Sequence, residues 1–127
     1  MKIFLLTIWI YSFPHAPSDE LLRAISQVES GGNAAAHNES EDAAGLYQIR
    51  PIYVADVNRI LGREEYTLAD RFNPERANEM VKIYLTHYGK GLTVLDMARI
   101  HNGGPKGYKK ACTLGYRDKI IKALLEQ

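Results

Sequence analysis

From Ser18 onward the apolar residues recur at helical spacing. Leu21, Leu22, Ile25 and Val28 fall on one helix face. Ser18 supplies a capping hydroxyl, Asp19 and Glu20 place acids at the positive end of the helix, and Gly31-Gly32 stops it. Residues 33–44 (NAAAHNESEDAA) carry no periodicity and predict a loop or a small hairpin. Pro51 opens a second helix with Tyr53, Val57, Ile60 and Leu61 on one side, ended by Gly62. Asn73-Pro74 opens a third, carrying Ala77, Val81, Tyr84 and Tyr88 to Gly89. Thr93 caps a short fourth from Val94 to about His101, broken by Asn102-Gly103-Gly104-Pro105. Thr113 is placed to cap the last, with Arg117, Ile120, Ile121 and Leu124 along one face. The pattern predicts a mainly α domain, α+β at most, of five short helices with a loop or small hairpin after the first. There is no internal repeat.

The beginning of the chain follows a different pattern. Residues 3–13 (IFLLTIWIYSF) contain only Thr7 and Ser12 as polar positions. Eleven residues are too few for a bilayer span, which needs about 20, but they match the apolar region of an export signal. The single lysine before them and Pro14 and Pro17 around the cleavage point fit that less well, and a buried strand or ordered tail is the alternative. The expected division is a signal or export segment at 1–16 and a working domain at 17–127, facing the cell exterior or wall.

Composition narrows the classes without choosing among them. The chain has 127 residues, 46% hydrophobic and 24% charged, which fits one globular domain and excludes a disordered or collagenous chain. A single cysteine, Cys112, excludes an internal disulfide and any multi-cysteine zinc site. His15, His37, His87 and His101 have no metal-ligand spacing, so neither a metal nor a cofactor is implied. The formal charge of +1 hides a segregation: seven Lys/Arg and one acid, Asp118, lie between Arg99 and Lys122, while Glu39, Glu41 and Asp42 cluster in the first loop. A basic stretch attracts anionic polymers. Without interleaved aromatic or base-reading motifs it does not point to nucleic acid.

Glu29 is the most informative carboxylate. It follows an apolar helix face and precedes Ser30-Gly31-Gly32, which puts it at the negative end of a helix beside a loop. That position and partial burial both favour the protonated acid, the form that donates to a leaving oxygen. Taken alone, the position is better explained by a solvated glutamate in a last helical turn. Three ordered segments add context: AISQVESGGN (24–33), GLYQI (45–49) and ARIHNGGPKG (98–107). Together they resemble the lysozyme-like superfamily of peptidoglycan-cleaving enzymes. The Glu-Ser pair and the Gly-x-x-Gln-Ile segment are similar to soluble lytic transglycosylases. His-Asn-Gly-Gly-Pro, followed by Thr113-Leu114-Gly115-Tyr116, is more similar to invertebrate-type lysozymes and their bacterial relatives, whose cysteine-rich framework is missing here.

The resemblance implies a role for each matching position. Glu29 takes the general-acid position, and Ser30 the neighbouring hydroxyl that holds it. Gln48 matches the cleft glutamine whose amide suits an N-acetyl group, Asn102 matches the family's cleft asparagine, and Gly103-Gly104 allow close backbone approach to the substrate. Tyr47 offers a stacking face or a core side chain. His101 stands where transglycosylases usually have tyrosine, as a partner of the catalytic region or a packed histidine. Hydrolytic relatives use a second acid in the following segment. Glu39, six residues before Gly45, is the expected one, while Asp42 matches by residue type and Glu41 by offset from Glu29. The implied activity is general-acid cleavage of β-1,4 bonds in peptidoglycan, with chitin oligomers as a related substrate. A lytic transglycosylase and a non-catalytic sugar-binding module are the alternatives. The expected protein is a monomer that meets a membrane only through its first segment.

Overall fold

The computed structural model describes residues 16–127. The expected export segment lies outside the described residues except for Ala16, an exposed residue in a bend. Five α-helices form among the described residues: α1 (Asp19–Ser30), α2 (Pro51–Leu61), α3 (Pro74–Tyr88), α4 (Val94–Gly103) and α5 (Leu114–Leu125). Between α1 and α2 a two-stranded hairpin, β1 (His37–Asn38) and β2 (Ala43–Ala44), pairs His37 with Ala44 and Asn38 with Ala43. Three short 3-10 turns, at Leu68–Phe72, Gly107–Lys109 and Ala111–Thr113, complete the described elements. No helix among the described residues is long and apolar enough to cross a membrane.

Local chemistry sets most of the helix ends. The Ser18 side chain accepts from the Leu21 amide, Asn73 accepts from those of Glu75 and Arg76, and Thr93 forms a reciprocal box with Asp96. Gly31 and Gly62 stop α1 and α2 in the left-handed region. Thr113 departs from expectation and does not cap α5. Its hydroxyl donates towards the carbonyls of Gly107 and Lys110 and accepts from Arg99 Nε, and this fastens the 107–113 segment to α4. Helix α4 also runs through Asn102 to Gly103 before turning at Gly104.

The apolar faces meet in one core. Leu21, Ile25, Val57, Met80, Leu85, Ile100 and Ile120 are fully enclosed, with α5 packed on α1 and α4, and α2 on α3. Asn58 is buried among them, and its amide bonds Tyr66 in both directions to fix the loop after α2.

The hairpin has little core of its own and is held by one cation. Arg71 is only 5% exposed, and its guanidinium donates to the carbonyls of Leu68, Asp42 and Ile49 and to the Asp42 carboxylate. Gly45 (φ +80°) lies against the same segment: a Cβ there would stand 1.8 Å from the Arg71 carbonyl oxygen. Gly31 shares the positive φ but has open space around it. Gly45→Ala should therefore cost about 3 kcal/mol or more, and Gly31→Ala about 1 kcal/mol, in chemical denaturation. Equal losses would contradict the clash.

Candidate active site

A cleft of about 920 Å³ runs between the hairpin, α2 and the C-terminal end of α4. Glu29, in the last turn of α1, lines it with a side chain 20% exposed. His101 reaches it from α4, with its own side chain 2% exposed. The Nε2 atom lies 2.9 Å from the Tyr47 carbonyl oxygen and 3.3 Å from Glu29 Oε2. Nδ1 lies 3.0 Å from the Tyr53 hydroxyl. A carbonyl only accepts, so Nε2 carries the hydrogen; in the neutral ring Nδ1 then accepts from Tyr53. The imidazole thus joins α1, the hairpin exit, α2 and α4, and presents one N–H shared between a carbonyl and the carboxylate.

Two phenols enclose this group. Tyr53 stacks on Tyr84 with ring centroids 3.8 Å apart and meets the His101 ring edge-on. Burial pushes its hydroxyl well above the usual phenol range, with the neighbouring Tyr84, Tyr116 and Glu29 adding to the shift. Tyr116, from the first turn of α5, is held high chiefly by burial and then by the charge of Glu29. Its hydroxyl is the one buried side-chain polar atom among the described residues without a partner in hydrogen-bond geometry. The nearby Glu29 carboxylate nonetheless acts on it electrostatically. Both phenols stay neutral across the working pH range and surround Glu29 with weakly polar surface.

The other expected residues divide into two groups. Gln48 and Asn102 line the cleft together with Gly103, Gly104 and Pro105. Gln48 adopts φ +51°, and its Nε2 donates to the carbonyls of Gly45 and Ala36. Its Oε1 makes no hydrogen bond among the described residues, so an acceptor remains for substrate. Ser30 does not line the cleft; its hydroxyl hydrogen lies between the carbonyls of Leu46 (2.8 Å) and Ser26 (3.1 Å), which anchors the end of α1 to the hairpin exit. Tyr47 departs from the stacking expectation. Its ring is buried and its hydroxyl accepts from Asn78, so only its carbonyl reaches the site, through His101.

The acidic loop is equally uneven. Glu41 lines the cleft and pairs with Arg50 at 3.2 Å. Asp42 turns to the other side, where it meets His37 at 2.8 Å and Arg71 at 3.2 Å. The His37 hydrogen bond, and after it Arg71, hold its carboxyl below the usual range against a smaller opposing effect of burial. Glu39 is exposed on the hairpin turn and does not line the cleft. The geometry therefore brings Glu29, Gln48, His101, Asn102 and Glu41 together and leaves Glu39 outside.

The transglycosylase SLT domain family matches residues 15–123, from before α1 into α5. The chain belongs to that family. It is also 33% identical over 109 residues to lysozyme 1 of Crassostrea virginica, covering 81% of this chain and 58% of that protein. The lysozyme of Ostrea edulis is 39% identical over 82 residues, covering 61% of this chain and 58% of that one. The chain thus spans a little under six tenths of the length of these curated relatives. The fold is lysozyme-like. The crystal structure of Aeromonas hydrophila PliI in complex with Meretrix lusoria lysozyme contains a chain that superposes with a TM-score of 0.72 at 28% identity, over 84% of this chain and 89% of that one.

Within this SLT domain the residues that sequence reasoning missed are mostly long-range partners. Tyr53 is legible only as a core position of α2, and its bond to His101 crosses 48 positions. Tyr116 lies inside a segment that carries the family resemblance, which was its one signal. Arg50 and the α2 residues Asp56 and Arg59, also in the cleft, had none.

The Asp42 clamp predicts a pH signature. A carboxyl held below its unfolded value of 3.8 stabilises the fold above that value, and the contribution vanishes as pH falls through the folded value. The Tm difference between the wild type and Asp42→Asn should shrink as pH falls below about 4. A difference that grows on acidification would contradict the clamp.

Proposed function

We propose that this SLT domain is a peptidoglycan-cleaving glycosidase, a lysozyme, acting on β-1,4 bonds between amino sugars. The observation that carries the reading is the setting of Glu29: a part-buried carboxyl at a helix C-terminus, on the cleft surface, between His101 Nε2 and the Tyr116 phenol. Glu29 protonates the glycosidic oxygen as the bond to the anomeric carbon breaks. The carboxylate left behind takes a larger share of the His101 Nε2–H, whose direction Tyr53 and the Tyr47 carbonyl have already fixed. Such preorganised donors stabilise charge without moving at the moment of reaction. The free Oε1 of Gln48 and the Asn102 amide are suited to the N-acetyl groups of the strand.

Glu41 is the second acid in this reading. It lines the cleft and is oriented by Arg50, whereas Asp42 is committed to Arg71 and His37 and Glu39 does not line the cleft. Glu41 would stabilise the oxocarbenium-like transition state or activate water. The oyster relatives carry the name lysozyme, which supports the hydrolytic outcome. A lytic transglycosylase, in which the substrate's own 6-hydroxyl closes a 1,6-anhydro ring, is the second reading, and the family match favours it. An active enzyme of this kind works outside the cytoplasm, where its substrate lies.

Mass spectrometry of digested peptidoglycan separates the outcomes. Hydrolysis gives fragments one water heavier than their anhydro counterparts. Glu41→Gln should slow that hydrolysis by about 10²-fold or more, and Glu39→Gln by less than about twofold. Anhydro products unaffected by Glu41→Gln would establish the transglycosylase reading, and no cleavage at all would leave a sugar-binding module.

A further inference from the structure

One face of α2 remains outside the catalytic reading. Ile52, Ala55, Asp56 and Arg59 stand at i, i+3, i+4 and i+7 and all line the cleft. Tyr53, Val54, Val57 and Asn58, on the other side of the helix, are its buried positions. Near the hairpin, Ile52 is 77% exposed, an apolar side chain held out over the cleft. Ala55 leaves room behind it. Two turns on, about 10 Å along the helix, stands the cation of Arg59.

Arg59 is already oriented. Its Nε and Nη2 both contact Asp56 Oδ1, at 2.8 and 2.6 Å, and Nη2 donates to the Tyr88 hydroxyl at 2.7 Å. Tyr88 in turn donates to the other Asp56 oxygen, so the acid is fully engaged. One edge of the guanidinium is thereby fixed, and the two Nη1 hydrogens have no partner among the described residues. The side chain remains 64% exposed. A guanidinium fixed on one edge with free hydrogens elsewhere suits a carboxylate, and little side-chain entropy remains to be lost on binding.

We infer that Arg59 is a specificity residue that takes a carboxylate of the glycan strand, while Ile52 and Ala55 meet the apolar faces of its rings. This rests on the proposed amino-sugar cleft. Strands built with 3-O-lactyl ethers carry carboxylates, either on the lactyl group itself or on the peptide attached to it. Chitin carries none. The α2 wall therefore selects the peptidoglycan strand over the neutral polymer with the same backbone linkage. Asp56 offsets part of the Arg59 charge, so the discrimination is that of a rim ion pair, a few-fold and salt-sensitive.

Binding to uncleaved ligands tests this. Calorimetry in a Glu29→Gln background would compare Arg59 with Arg59→Met, which keeps the apolar stem. Three ligands of matched length serve: peptide-bearing peptidoglycan strands, amidase-treated strands with free lactyl carboxylates, and chitin oligomers. Arg59→Met should raise Kd about fivefold for carboxylate-bearing strands, leave chitin within about twofold, and lose the difference at high salt. An effect on the amidase-treated strands assigns the lactyl carboxylate; an effect on peptide-bearing strands alone assigns the peptide. Equal weakening of chitin, or no weakening of any ligand, would overturn the inference and leave the glycosidase reading standing. If none of the three binds before Arg59 is changed, the amino-sugar reading itself fails.

Discussion

The site depends on one buried imidazole. His101 has a single tautomer consistent with its neighbours, because the Tyr47 carbonyl can only accept from Nε2 and leaves Nδ1 to the Tyr53 hydroxyl. Through those bonds and its approach to Glu29, four separate stretches of chain are fixed relative to one another within a few ångströms. A buried polar group of this kind must be satisfied or it destabilises the fold. The requirements of folding and of aiming an N–H at Glu29 are therefore met by the same geometry.

The hairpin shows the same economy. It has too few residues to bury a face of its own, so Arg71 supplies its anchorage by bonding three carbonyls and Asp42. That choice separates the three neighbouring acids: Asp42 becomes part of the clamp, Glu41 turns to the cleft with Arg50, and Glu39 remains on the turn. The basic stretch from Arg99 to Lys122 is likewise more than a charged surface. Arg99 and Lys110 bond backbone carbonyls around the 107–113 segment, which supports the Gly103–Pro105 end of the cleft.

The helices were legible because their signals are local. Ser18, Asn73 and Thr93 cap within three residues of themselves, and Gly31 and Gly62 stop helices by their own backbone freedom. Thr113 misled because its hydroxyl finds better partners in Gly107, Lys110 and Arg99 than in the helix start. Glu29, Gln48 and Asn102 were legible from three short segments that keep their order. Which acid faces the cleft was not, since offset counting cannot see how a two-residue strand and an aspartate at φ +49° turn successive side chains apart. Tyr53 could not be read as a site residue at all, and Tyr116 only through its motif, because their roles arise when α2, α4 and α5 pack around the end of α1.

The account rests on proton donation from Glu29, and the turnover of purified peptidoglycan by Glu29→Gln tests it most directly. The amide keeps the size of the side chain and cannot act as the acid, so the rate should fall by about 10²–10⁴-fold while Tm stays close to that of the wild type. A folded Glu29→Gln protein that cleaves at the wild-type rate would contradict it.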